Sequence, residues 1–160
     1  MTRRAHLALA TLGPTFLLLA APPLAAQEAA STSGPTVTVI EADALRWRPD
    51  PEFPELDHAT VHGDLRTPGP YAYRLRANAP AELPLHTHSR SEYVTVLRGT
   101  LHHVPEGGER ADARSCGAGC FIALPSGREH RAWLEPGTVL QVHGIGPVEA
   151  HLPSTSSGRG

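Results

Sequence analysis

The segment His86-Thr87-His88 sets two imidazoles two residues apart. On an extended strand such residues point to one face, with Cα atoms roughly 6.5 Å apart. Both rings can therefore converge on one ion. Glu92 follows four residues after His88, and Ser89-Arg90-Ser91 between them can turn the chain. Glu92 then starts the next strand and offers a carboxylate oxygen to the same point. Further along, Pro125-Ser126-Gly127-Arg128-Glu129-His130 forms a Pro/Gly turn that places His130 at the start of another strand. Three neutral ring nitrogens and one carboxylate suit a divalent transition metal (Fe, Mn, Zn or Ni). They leave two positions of an octahedron for small ligands. Each feature alone also has a plainer meaning: a surface pair of histidines, an ordinary surface acid, a turn residue.

The elements that must position these residues read as short strands. Gly 15 and Pro 16 are a heavy load of chain breakers for 160 residues. They exclude long helices and suit many strands joined by turns. Candidate strands are Val37–Ile40, Leu45–Arg48, Ala59–His62, Tyr71–Arg76, Leu83–His88, Glu92–Leu97, Leu101–Val104, Phe121–Leu124, His130–Leu134 and Thr138–His143. In Tyr71–Arg76, Tyr71, Tyr73 and Leu75 alternate with Arg74 and Arg76, the pattern of a half-buried strand. Strands of this number and spacing suggest an antiparallel barrel or sandwich, so the fold class is all-β.

The two separated segments, His86-x-His88-x-x-x-Glu92-x(6)-Gly99 and Gly119-x(5)-Pro125-x-Gly127-x-x-His130, resemble the paired signature motifs of the cupin family. The resemblance spans residues 86–130 directly, and the strand-rich chain over 37–152 is consistent with the rest of a cupin domain. It implies a double-stranded β-helix, the cupin jelly-roll barrel, with a metal inside it. His86, His88, Glu92 and His130 then correspond to the usual three-histidine, one-carboxylate set. The second motif often ends with Asn four residues after its histidine, and Leu134 stands there instead. Within the family the chain looks like the small exported bacterial cupins. Related cupins include dioxygenases, isomerases, decarboxylases and ligand sensors, so the likeness supplies fold and metal, not substrate. Two function classes follow. One is a metal-dependent, dioxygenase-type oxidoreductase acting on a small chelating substrate. The other is a non-catalytic module that binds a metal or a small molecule.

Composition narrows the rest. All 14 basic residues are Arg. Without lysine there is no Schiff base, no pyridoxal-phosphate site and no P-loop. A net charge of −2 argues against a nucleic-acid partner. Arg3 and Arg4, the apolar run Leu7–Ala21 and Leu24-Ala25-Ala26 read as a secretory signal peptide over 1–26. The Sec and twin-arginine routes both stay open. Losing those two arginines makes the charge −4, and the mature chain is expected in the periplasm or medium, with no membrane segment. Residues 27–36 read as a flexible leader and 153–160 as a frayed tail. Cys116 and Cys120 are either a small disulfide ring or two free thiols. Small jelly rolls expose sheet edges, so a homodimer is expected, with Val37–Ile40 extending a partner's sheet. His143 is either a donor near the metal or a core histidine, and His102 and His103 cannot both face inward.

Overall fold

The structure is a computed structural model and describes residues 36–152. The segments read as a signal peptide, as a leader (all but Thr36) and as a tail lie outside the described residues. The elements belong to the unit Thr38–Gly160. Eleven strands follow one another among the described residues. They are β1 (Arg48–Pro49), β2 (Leu56–His62), β3 (Gly69–Ala77), β4 (Ala81–His88), β5 (Glu92–Arg98), β6 (Thr100–Val104), β7 (Arg114–Gly117), β8 (Phe121–Leu124), β9 (His130–Leu134), β10 (Val139–Gly146) and β11 (Ala150–His151). Two single 3-10 turns, Ala42–Ala44 and Arg110–Asp112, are the only helical pieces there.

The strands form two sheets, with orders β1-β2-β3-β10-β5-β8 and β11-β4-β9-β6-β7. Neighbouring strands among the described residues pair antiparallel. Local sequence explains the strands. In β5, Glu92, Val94 and Val96 are buried while Tyr93 and Leu97 are exposed. That period of two puts one face of the sheet on the core. The core is one apolar cluster built by both sheets. Leu56, Leu75, Val94, Val96, Leu140 and Val142 come from the first, and Ala81, Leu101, Ala132 and Leu134 from the second. This is the all-β jelly roll expected from the sequence.

Several segments differ from the sequence reading, the short β11 among them. Val37–Ile40 forms no strand and is exposed, because no strand edge of its own chain pairs with it. In Leu45–Arg48 pairing starts only at Arg48, opposite His58. The strand β7 is a surprise, since Arg-Ser-Cys-Gly has no apolar alternation; its order comes from pairing with β6. Cys116 and Cys120 form a disulfide, which ties the end of β7 to the residue before β8.

Candidate metal centre

Strand β4 carries the first two histidines, and its register decides which way they point. Ala81 opposes Leu134 and Leu83 opposes Ala132, all on the core face. Simple alternation from Leu83 would turn His86 outward. The register shifts between Leu83 and His86, however, and His86 comes to oppose His130. Pro84 and Leu85 together face Arg131, so β4 holds one extra residue. A bulge of this kind re-aims the side chains beyond it, and a proline without an N–H fits there. His86 and His88 therefore share the core face with His130.

The loops tie the two halves of the site together. The Gly127 N–H donates to the His88 carbonyl at 2.9 Å, and Arg128 N–H closes the turn on Pro125 O at 3.2 Å. Gly127 has φ +72°, a backbone shape that side chains disfavour. The Ser126 hydroxyl donates to Ser89 O at 2.8 Å. The turn that delivers His130 is thus stitched to the loop between His88 and Glu92.

The three imidazoles come together. Their ring centroids are 4.2 Å apart for His86 and His130, 4.8 Å for His86 and His88, and 5.1 Å for His88 and His130. Each offers one ligand atom, and these atoms lie within 4.8 Å of one another. The Nδ1 of each ring already has an acceptor. His86 donates to Pro84 O at 2.6 Å and His130 to Arg128 O at 3.0 Å. His88 Nδ1 meets Glu92 Oε2 at 3.0 Å. A carbonyl can only accept, so these bonds fix the tautomer and leave Nε2 with its lone pair. That is the arrangement metal-binding histidines use. Glu92 stands beside the three nitrogens, in contact with His88, and is outside the closest cluster.

Charge states fit a cation. Burial first, then the neighbouring His86, His88 and His103, push His130 down to about 4. Burial also lowers His86. Both rings are therefore neutral at pH 7, the form that binds metal. Burial raises the Glu92 carboxyl, but bonds from His88 and Tyr71 outweigh it and hold the group below its ordinary value. Three clustered imidazoles with a carboxylate held against one of them suit a divalent transition metal.

Tyr71, which the sequence places on one side of a half-buried strand, does more than pack. Its hydroxyl donates to Glu92 Oε1 at 2.5 Å. The link depends on Gly144, which opposes Tyr71 on one side and Glu92 on the other. No local signal marks it, because the three residues meet only through sheet pairing. His103 is the inward member of its pair, opposite Ala132, with its ring 6.4 Å from that of His130. His102 faces out, stacked on Trp133 and bonded to Glu135 and Ser115. His143 opposes Tyr93 and so lies on the face away from Glu92, which removes it from the site. Arg90 and Arg98 are bound to the backbone carbonyls of Pro147 and Gly137.

No protein-family model matches the chain. No curated protein matches it. Solved structures do. An RmlC-like cupin from Shewanella frigidimarina superposes with a TM-score of 0.55 at 17% identity, over 68% of this chain and 89% of that one. A polyketide cyclase from Streptomyces resistomycificus gives 0.58 at 16%, over 75% and 89%. An acetylacetone dioxygenase from Acinetobacter johnsonii gives 0.56 at 13%, over 72% and 77%. Sequence identity this low speaks for architecture alone. Two antiparallel sheets that close over an inward histidine cluster, and that superpose on such proteins along most of their length, make this chain a cupin in fold.

Proposed function

We propose that the protein is a mononuclear metal-binding cupin that acts on a small chelating molecule. The observation that carries this is the set of three imidazoles, each with its Nδ1 held by an acceptor, gathered so that one ligand nitrogen of each lies within 4.8 Å of the others. His86, His88 and His130 would hold the ion by those nitrogens. Glu92 would place its carboxylate charge beside the site and orient His88 through the oxygen on its Nδ1. A bound Fe(II) or Mn(II) would supply Lewis-acid or oxygen chemistry. The chain's own residues orient the rings, favour the neutral form of His86 and His130, and bury the carboxylate. An acetylacetone dioxygenase of the same fold makes a β-diketone the first substrate to try.

The test is metal analysis of the full chain loaded anaerobically with Fe(II), then oxygen uptake with acetylacetone. One metal per chain with substrate-dependent uptake supports an oxidoreductase. One metal without uptake on any β-diketone or catechol makes it a binding module. No retained metal removes the reading altogether.

Export and assembly belong to the same proposal. The signal-like pattern over 1–26 supports a periplasmic or secreted protein, and a disulfide suits that oxidising compartment. The unpaired, exposed Val37, Val39 and Ile40 support a homodimer in which this segment finds a strand edge on the partner. An intact Met1 on exported protein would count against the first. A monomer mass by light scattering would count against the second.

A further inference from the structure

Glu92 is 3% exposed, and both of its oxygens are occupied by side chains from the same interior. Oε2 lies on His88, from β4. Oε1 accepts from the Tyr71 hydroxyl, which comes from β3, two strands away across β10. Tyr71 is itself 3% exposed. Between Tyr71 and Glu92 runs Gly144 of β10, in register with both. A Cβ on Gly144 would stand 2.7 Å from the Tyr71 Oη and 3.0 Å from its Cζ. Real side chains do not approach that closely, so any other residue would push the tyrosine off the carboxylate.

We propose that Tyr71 is a positioning residue of the metal site, which pins Glu92 against His88 through a gap that Gly144 leaves open. The proposal rests on the metal-site reading above. The physical argument is one of rotation. A carboxylate can turn about its last bond, and only the oxygen facing His88 serves the site. With Oε1 fixed by a short hydrogen bond, Oε2 is held toward His88 and the ring of His88 is held in turn. Groups that orient ligands in this way typically alter metal affinity by about 10- to 100-fold.

The experiment uses the full chain and two readouts. The first is Co(II) titration followed by visible absorption, which reports affinity and ligand geometry together. The second is long-range proton–nitrogen NMR of the histidine rings in the metal-free chain. Tyr71→Phe keeps the ring and removes the hydroxyl. Gly144→Ala keeps the hydroxyl and closes the gap. Tyr93→Phe, on the outer face, is the control. Both variants are expected to bind Co(II) about tenfold more weakly with an altered spectrum, and to lose the single Nδ1–H form of His88 seen in the parent. The control is expected to match the parent. If Tyr71→Phe fails to fold by circular dichroism, Gly144→Ala carries the test.

Wild-type affinity and spectrum in the folded variants would overturn the proposal and leave the metal site standing. If the parent itself binds no Co(II), the metal reading falls, and the NMR arm decides alone. Loss of the His88 Nδ1–H form in the variants then upholds the pinning role, and its persistence refutes it.

Discussion

Each imidazole of the site divides its two nitrogens between jobs. Nδ1–H goes to a fixed acceptor, and Nε2 stays free. For His86 and His130 that acceptor is a carbonyl two residues earlier in the chain, so ring and backbone move as one unit. His88 relies on Glu92 instead. This predicts unequal consequences for two nearby histidines. His88→Ala removes a nitrogen from the cluster and leaves the buried carboxylate with Tyr71 alone. Metal affinity should fall at least tenfold, while far-ultraviolet circular dichroism still shows a folded barrel. His103→Ala touches no member of the set closely, with its ring 6.4 Å from His130, and should leave metal stoichiometry unchanged. Equal retention of metal by both variants would remove His88 from the site. That His86 and His88 would share a face was legible in the sequence, because an H-x-H on a strand has only one geometry. Tyr71 was not, since a tyrosine facing inward looks the same whether it packs or bonds. Its partner is 21 positions away and is reached only across a third strand.

At the level of elements, the bulge in β4 and the pair that locks β2 to β3 matter most. The bulge decides the face of His86 and His88, and nothing in Glu-Leu-Pro-Leu-His announces an extra residue beyond the proline. A strict period of two therefore tells that the histidines share a face, and not which face it is. On the outer side of the other sheet, Asp57 of β2 opposes Arg76 of β3. The Arg76 Nη2 donates to Asp57 Oδ2 at 2.5 Å, and its guanidinium lies 4.5 Å from the Trp47 ring centre. The hydrogen bond from Arg76, and next that from Asn78, hold the Asp57 carboxyl below its ordinary value. The sign of the effect on stability follows. In the unfolded chain Asp57 titrates near 3.9, so the bond's contribution is complete above that pH. It is lost as pH falls through the lower folded value, because the folded state must then take up a proton it resists. Asp57→Asn should lower stability at pH 7 by at most about 1 kcal/mol, as expected of a partly exposed pair, and flatten the acid limb of the curve. Denaturant titrations at pH 7 and pH 3 check this. A loss that is the same at both pH values would show that the carboxylate's charge plays no part.

On the scale of the molecule, an apolar core holds the barrel together without any ion. The apolar cluster runs through both sheets, and Leu56, Val96, Val104, Leu134 and Leu140 are almost completely buried. Which strands would be neighbours could not be read from the chain. Pairings such as β3 with β10 and β4 with β9 join segments dozens of residues apart, whereas the breakers that end each strand are local and visible. The closed core predicts how the whole chain responds to metal. A chelator-treated protein should remain folded and unfold cooperatively on heating. A ligand that binds only the native state stabilises it in proportion to RT ln(1 + [L]/Kd), or about 2.7 kcal/mol at a hundredfold excess over Kd. For a domain of this size that corresponds to a rise in Tm on the order of 10 °C. His88→Ala should show a lower metal-free Tm, because the buried Glu92 loses its His88 contact, and almost none of the rise. Scanning calorimetry with and without Co(II) measures both quantities at once. A chelated chain that is already unfolded would mean that the histidines are needed to close the sheets. An equal rise in His88→Ala would mean that the metal stabilises the chain from somewhere other than this cluster.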